Sequence, residues 1–252
     1  MNIKKHIPNL FTLGNLFFGI LATIYAVVGV YEYVFLFVVI GIVLDFFDGF
    51  LARILNVQGE LGKQLDSLAD MVTSGVAPGV VMFSLLNQNS FAVKTFFEET
   101  ININAFNSVD NSEFYLSFIG FLVTLAACYR LAKFNIDTRQ AESFIGLPTP
   151  AMSLFVVALP LIDIDFVKDL LSNNYVLIAI TLMLSYLMNA NLPLLSLKFK
   201  TFGFKENMMK YLLIITSGVL LITLKFLAVP LIIVVYIILS IINNSNAKQK
   251  VG

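Results

Sequence analysis

The sequence predicts an all-α, polytopic membrane bundle of about eight transmembrane helices, and three observations carry that prediction. Apolar residues make up 58% of the 252 positions and charged residues 13%, with a mean hydropathy of +0.88. A soluble domain carries about 25% charged residues, so a water-soluble monomer of this composition lacks the polar surface to cover itself. The abundance of Phe, Leu, Ile and Val excludes a disordered chain. Finally, apolar stretches of bilayer-spanning length recur from one end of the sequence to the other.

Crossing about 30 Å of hydrocarbon takes about 20 residues of helix. Charge-poor stretches near that length lie at 9–30, 33–54, 65–87, 114–134, 147–163, 175–196, 210–226 and 228–245. The first is a span and not a secretory signal, because its apolar run from Ile7 to Tyr31 is too long and no small-residue cleavage site follows. The fifth and seventh are short. Together they read as one integral membrane unit over 1–252, with catalytic helices at about 9–163 and C-terminal helices at about 175–245. No repeat or low-complexity tract interrupts it. The polar insert at 88–112 is Asn-rich and reads as a loop.

Charge placement predicts the orientation. With both termini in the cytoplasm, the inner side holds Lys4, Lys5, Arg53, Lys63, Arg130, Lys133, Arg139, Lys198, Lys200, Lys205, Lys210, Lys248 and Lys250. The outer side keeps Lys94, Lys168 and Lys225, beside acidic loops carrying Glu98, Glu99, Asp110, Glu113, Asp163, Asp165 and Asp169. The basic, aromatic loop at 197–209 reads as a positive-inside loop, with contact to anionic headgroups as the other reading. The balance of 16 basic against 16 acidic residues gives no electrostatic case for a nucleic-acid partner. The single Cys128 forms no intrachain disulfide, and one His6 makes no zinc site.

The chemistry lies in LDFFDGFLARILNVQGELGKQLDSLADMV. A charge within a membrane helix costs about 2.5–3.5 kcal/mol on insertion scales, yet four aspartates stand at the ends of two successive spans. Asp45, Asp48, Gly49 and Ala52 follow i, i+3, i+4 and i+7 and share one helical face. Phe46, Phe47 and Phe50 take the other directions. Gly62, Asp66 and Asp70 recur every four residues on the next span, a stripe that Thr73 or Ser74 extends. A short link makes the two helices antiparallel neighbours, so the stripes can face each other. Carboxylates so crowded repel unless protonated or bridged by a cation. All-oxygen ligation suits a hard ion, Mg²⁺ or Mn²⁺, of the kind that holds substrate phosphates. Arg53 beside the cluster adds a planar donor for phosphate oxygens. Two other readings stay open on these residues alone: helix-end charges at the interface, and a cation-transport site.

The spacing Asp45-x-x-Asp48-Gly49-x-x-Ala52-Arg53, then eight residues to Gly62, then Asp66 and Asp70, resembles the signature of the CDP-alcohol phosphatidyltransferases at all eight specified positions. The resemblance implies a membrane enzyme that attacks a CDP-linked lipid with an alcohol and releases CMP. By position it implies Asp45, Asp48 and Asp66 as metal ligands, and Asp70 as both ligand and general base. It further implies that Gly49, Ala52 and Arg53 line the nucleotide pocket, and that the protein is a homodimer. Beyond the motif, PNLFTLGNLFFGILA, SGVAPGVVMF, YRLAKFNID and FIGLPTPAM are similar to the integral-membrane serine-using branch of that family. The implied reaction takes CDP-diacylglycerol and L-serine to phosphatidylserine and CMP at the cytoplasmic face of the cell membrane.

Serine brings a carboxylate that needs a cation, and Arg130 and Lys133, with Asn135 as polar neighbour, are the candidates; the alternative is a positive-inside cluster binding lipid headgroups. Asn9 and Thr12 are candidates for nucleotide contact, or else cap the first helix beside Pro8. Gly14, Gly19, Gly75 and Gly79 read as sites of close helix packing, and Pro148 and Pro150 as a helix start. The competing functions are the same transfer to glycerol 3-phosphate or an inositol phosphate, and divalent-cation transport.

Overall fold

The computed structural model describes residues 6–88, 115–137, 144–195, 203 and 207–249. Helix α1 (His6–Val28) turns at Gly29, whose φ of +80° is open to glycine without a Cβ penalty, into α2 (Tyr31–Ile54). A rod then runs through α3 (Glu60–Asp70), a π-helical turn (Met71–Val76) and α4 (Ala77–Gln88). A short 3₁₀ turn (Phe118–Phe121) leads into α5 (Leu122–Ile136). After it come β1 (Phe144–Ile145), α6 (Thr149–Ala158), α7 (Asp165–Leu171) and α8 (Asn174–Asn189). The chain closes with β2 (Pro193–Leu194), α9 (Met208–Leu224) and α10 (Ala228–Gln249). The two short strands pair antiparallel, Phe144 opposite Leu194.

Among the described residues, five helices are long and apolar enough to cross a membrane, or six if the pair formed by α6 and α7, bent by 113°, is one span. That bend falls at the predicted end of the fifth segment, and Asp163 in it accepts a hydrogen bond from Lys168. The stretch 208–243 holds two legs. Lys225 (φ 49°) breaks it, and Leu213 packs with Tyr236 and Leu239 across the fold. Helix α8, at 16 residues, is shorter than a full span. Each of the eight apolar segments thus contains helix, while fewer than eight meet the length for crossing. The insert at 88–112, apart from its first residue, and most of the basic loop at 197–209 lie outside the described residues.

The link from α2 to α3 has a local cause. Asn56 takes the left-handed conformation (φ 51°), which Asn tolerates better than most residues. Its N–H returns to Arg53 O at 3.2 Å, and that of Val57 to Ala52 O at 3.0 Å. This pair of bonds is the Schellman ending of a helix, and it reverses the chain so that the two aspartate stripes meet.

Small residues decide how close α1, α2 and the π turn come. A Cβ on Gly19 would lie 2.9 Å from Thr73 Cα, and one on Gly41 would lie 2.7 Å from Thr73 Cγ2 and 2.9 Å from Asn15 Oδ1. In lipid, where apolar surface gains little by meeting apolar surface, such close contact is what associates helices. Gly14 and Gly75 leave less demanding room, 3.1 Å from Leu44 Cδ1 and 3.3 Å from Met71 Sδ. A main core of Ala22, Val34, Val38, Val81, Met82, Val123 and Met152, among others, fills the bundle. Leu194, Leu195, Leu213, Tyr236 and Leu239 form a second, smaller one. Outward faces carry Phe17, Ile24, Phe46 and Tyr186, as lipid-facing helices do.

Gly41→Leu therefore separates α2 from the π turn. Overpacking of this kind costs about 1–3 kcal/mol or more, and thermal unfolding in detergent is expected to shift downward, whereas Gly59→Ala, where no atom of the described residues lies within 4 Å, leaves it unchanged.

Candidate active site

Helix α2 brings Asp45 and Asp48 to the same side, and α3 brings Asp66 opposite. One carboxylate oxygen from each of the three lies within 4.8 Å of the others. Asp48 is buried at 6% exposure, and Asp45 Oδ1 is buried without a hydrogen-bond partner among the described residues. Charges about 4 Å apart repel by about 4 kcal/mol at the effective dielectric of a protein edge. An acceptor-only trio with an orphaned buried oxygen is thus a donor set that fits a hard divalent cation, and these three can hold one. Asp70 stands one turn along α3 from Asp66 and close enough to Asp45 to interact with it.

Two neutral side chains of α1 reach into this group. Thr12 Oγ1 donates to Asp48 Oδ2 at 2.5 Å, and Asn15 Nδ2 donates to Asp70 Oδ1 at 3.1 Å. Thr12 and Asn15 are both buried and sit three residues apart on one face. Asn15 is held in turn: its carbonyl accepts from Thr73 Oγ1 at 3.0 Å. The π turn that carries Thr73 shifts the backbone register directly after Asp70, a feature that recurs at functional sites. Hydroxyls from other helices take two of its carbonyls: Thr124 Oγ1 donates to Gly75 O at 2.9 Å and Ser153 Oγ to Thr73 O at 3.4 Å.

The remaining sequence candidates divide. Gly49 and Ala52 are half-buried along the Asp48 face. Arg53 is exposed and donates from Nε to Gly49 O at 2.9 Å. Asn9 lies across from Gly62, its Oδ1 3.6 Å from where a Cβ there would be. Neither Asn9 nor Thr12 caps α1, because the helix already begins at His6. Arg130 on α5 is buried at 6% exposure, feels the charge of Asp70, and has its guanidinium 6.0 Å from the Phe134 ring. Lys133 lines a narrow pocket with Arg130, Ile145, Met188, Asn189 and Ala190. Asn135 is engaged elsewhere: its Nδ2 donates to Ser67 Oγ at 2.8 Å and its carbonyl accepts from Lys63 Nζ at 2.6 Å, which staples α5 to α3.

Asn15 is the residue that sequence reasoning missed. Its signal was a polar amide inside an apolar helix, three positions after Thr12, where an intramembrane polar group asks for a partner. The π turn has no comparable signal.

A family model for the CDP-alcohol phosphatidyltransferases matches residues 5–187. The chain belongs to that family, a family of membrane phosphotransferases. It is 34% identical over 189 residues to a CDP-diacylglycerol–serine O-phosphatidyltransferase of Bacillus subtilis, covering 73% of this chain and 86% of that one. To the protein of the same name in Helicobacter pylori (strain J99) it is 32% identical over 160 residues, 62% of this chain and 57% of that one. An archaetidylserine synthase of Methanothermobacter thermautotrophicus is 26% identical over 192 residues, 73% of this chain and 71% of that one.

Asn15→Leu removes the donor to Asp70. A hydrogen bond to a charged group is worth about 1.5–3 kcal/mol, so turnover is expected to fall about tenfold to a hundredfold, and Thr12→Val to behave alike. Steady-state CMP release by variants with unchanged unfolding temperature checks this.

Proposed function

We propose that this chain transfers the phosphatidyl group of CDP-diacylglycerol to L-serine, giving phosphatidylserine and CMP, at the cytoplasmic face of the cell membrane. The observation that carries the reading is the trio Asp45, Asp48 and Asp66 with Asp70 beside it, in a chain whose relatives bear serine in their names. Those relatives differ in the lipid they are named for and share the acceptor, which favours serine.

Asp45, Asp48 and Asp66 would hold the metal, Mg²⁺ or Mn²⁺, with Asp70 at its edge. When bound, such an ion neutralises diphosphate charge and stabilises the departing CMP. The steps belong to the side chains. A serine hydroxyl is a weak nucleophile, and a carboxylate in hydrogen-bond reach takes its proton. Asp70, held by Asn15 and adjoining Asp45, is the carboxylate in that role. The serine oxygen forms a bond to the phosphorus carrying diacylglycerol, the bond from that phosphorus to the bridging oxygen breaks, and CMP leaves. Arg130, buried and near Asp70, faces the serine carboxylate with Lys133 beside it; Asn135 fixes the helix that carries both. Gly49 and Ala52 give the nucleotide a face without bulk, Arg53 offers donors to its phosphate, and Asn9 and Thr12 border it from α1.

The placement suits a substrate shared between two solvents. Phe46, Phe47 and Phe50, exposed on α2, meet lipid one helical step from the acids, so acyl chains stay in the bilayer while the headgroup reaches water. The excess of Lys and Arg on that side of the sequence supports a cytoplasmic position for that end of the bundle and for both termini. A phosphorylated acceptor would call for a basic cluster beyond Arg130, Lys133 and Arg139, the last of which lies outside the described residues. A transport path would call for polar groups along several helices, whereas these acids gather at one end.

Purified protein with CDP-diacylglycerol and Mn²⁺ or Mg²⁺ is expected to release CMP with L-serine and not with glycerol 3-phosphate or inositol phosphate. Chelation abolishes release and added metal restores it. Asp70→Asn is expected to lose about two to four decades of rate, the usual contribution of a positioned base; full activity in that variant refutes the base assignment.

A further inference from the structure

The helix pair α9 and α10 lies beyond the residues that the family model matches, which end at 187, yet α10 grips the segment that backs Arg130. Leu195 directly follows β2, and both of its backbone groups go to α10. Its N–H donates to Ser240 Oγ at 3.0 Å, and its carbonyl accepts from Tyr236 OH at 3.0 Å. Tyr236 and Ser240 stand four residues apart on one helical face. Ser240 Oγ also donates to Tyr236 O at 2.7 Å, which commits its proton and leaves a lone pair for the Leu195 amide. All three residues are buried. Within a membrane protein a strand edge has no water to satisfy it, so the two side chains stand in for a further strand.

The gripped segment is tied to Arg130 through short links. β2 pairs with β1, Pro193 opposite Ile145. Gly146 N donates to Leu192 O and Leu147 N to Leu187 O, each at 2.9 Å, and a Cβ on Gly146 would collide with the Met188 carbonyl. Ile145 and Met188 then meet Arg130 and Lys133 around a cavity too small for a substrate, so they serve as packing against the guanidinium. Tyr236 itself stands close enough to Arg130 for the two to interact electrostatically. With its proton committed to Leu195, its oxygen can only accept. We infer that Tyr236 and Ser240 are positioning residues for the acceptor: through Leu195 they hold β1, β2 and the end of α8 against Arg130, so that α10 sets the affinity for the amino acid and not for CDP-diacylglycerol. The inference rests on the serine reading above and extends it to α10. The aspartates sit on α2 and α3, whereas α10 packs chiefly on α6, α9 and β2, so loosening the grip leaves the metal and diphosphate side in place.

The test is steady-state CMP release by full-length wild type, Tyr236→Phe and Ser240→Ala in CDP-diacylglycerol micelles with Mn²⁺. Each variant is expected to raise KM for L-serine about threefold to tenfold, the range for one neutral hydrogen bond. The KM for CDP-diacylglycerol stays at the wild-type value, and kcat stays near it. A merely structural role would lower the active fraction and leave both KM values unmoved. That outcome, or an equal rise in both, overturns the inference while leaving the serine reaction standing. No CMP from wild type with serine overturns the reaction itself, and the inference with it. Should the variants not fold, hydrogen exchange in wild type decides, because coupling between two sites is reciprocal. Saturating L-serine, added with CMP and Mn²⁺, is expected to slow deuterium uptake at the Leu195 amide. Equal uptake with and without serine overturns the assignment.

Discussion

Negative charge crowded at the end of a membrane bundle is the constraint on which the rest of this structure depends. Three carboxylates within 4.8 Å, a fourth adjoining, repel one another wherever they are ionised. The fold answers with donors brought from α1, and those donors arrive only because α1 can press against α2 and the π turn. Gly19 and Gly41 leave room for Thr73; Thr73 holds the Asn15 carbonyl, and Asn15 and Thr12 hold Asp70 and Asp48. Packing and electrostatics are here one device. Asp45 Oδ1, left without a partner among the described residues, stands where a cation could take over from protein donors.

The same helix serves two media. Along α2 Asp48 is buried while Phe46 is 63% exposed, a contrast achieved within one turn because 3.6-residue periodicity sets positions 46 and 48 about 160° apart, on nearly opposite sides of the helix. A protein that handles a lipid carrying a polar headgroup needs such a boundary. Here it coincides with the end of a span, where the cost of a charge is lower than at the bilayer centre.

Much of this was legible in the sequence, for reasons that can be named. The i, i+3, i+4, i+7 run from Asp45 and the four-residue steps to Asp70 fix helical faces by geometry alone, and the structure brings those faces together. Close packing at Gly19 and the helix start at Pro148 followed from residue type. What stayed hidden depends on tertiary partners. The π turn after Asp70 arises where hydroxyls of Thr124 and Ser153 accept the task of satisfying carbonyls from other helices. Asn135, placed by proximity in sequence to Arg130, turns instead toward Ser67. Asn189 lies 59 residues along from Arg130, and only the pairing of α8 with α5 puts them in one pocket. Hydropathy located eight apolar segments but not how long each helix remains straight, which the 113° bend after α6 decides.

Manganese binding read by electron paramagnetic resonance tests the central claim most directly, because it needs neither substrate nor turnover. Wild-type protein is expected to quench the free Mn²⁺ signal saturably, and Asp45→Asn or Asp66→Asn to leave that signal free at the same protein concentration while unfolding at the wild-type temperature. Quenching by those variants equal to wild type would contradict the account.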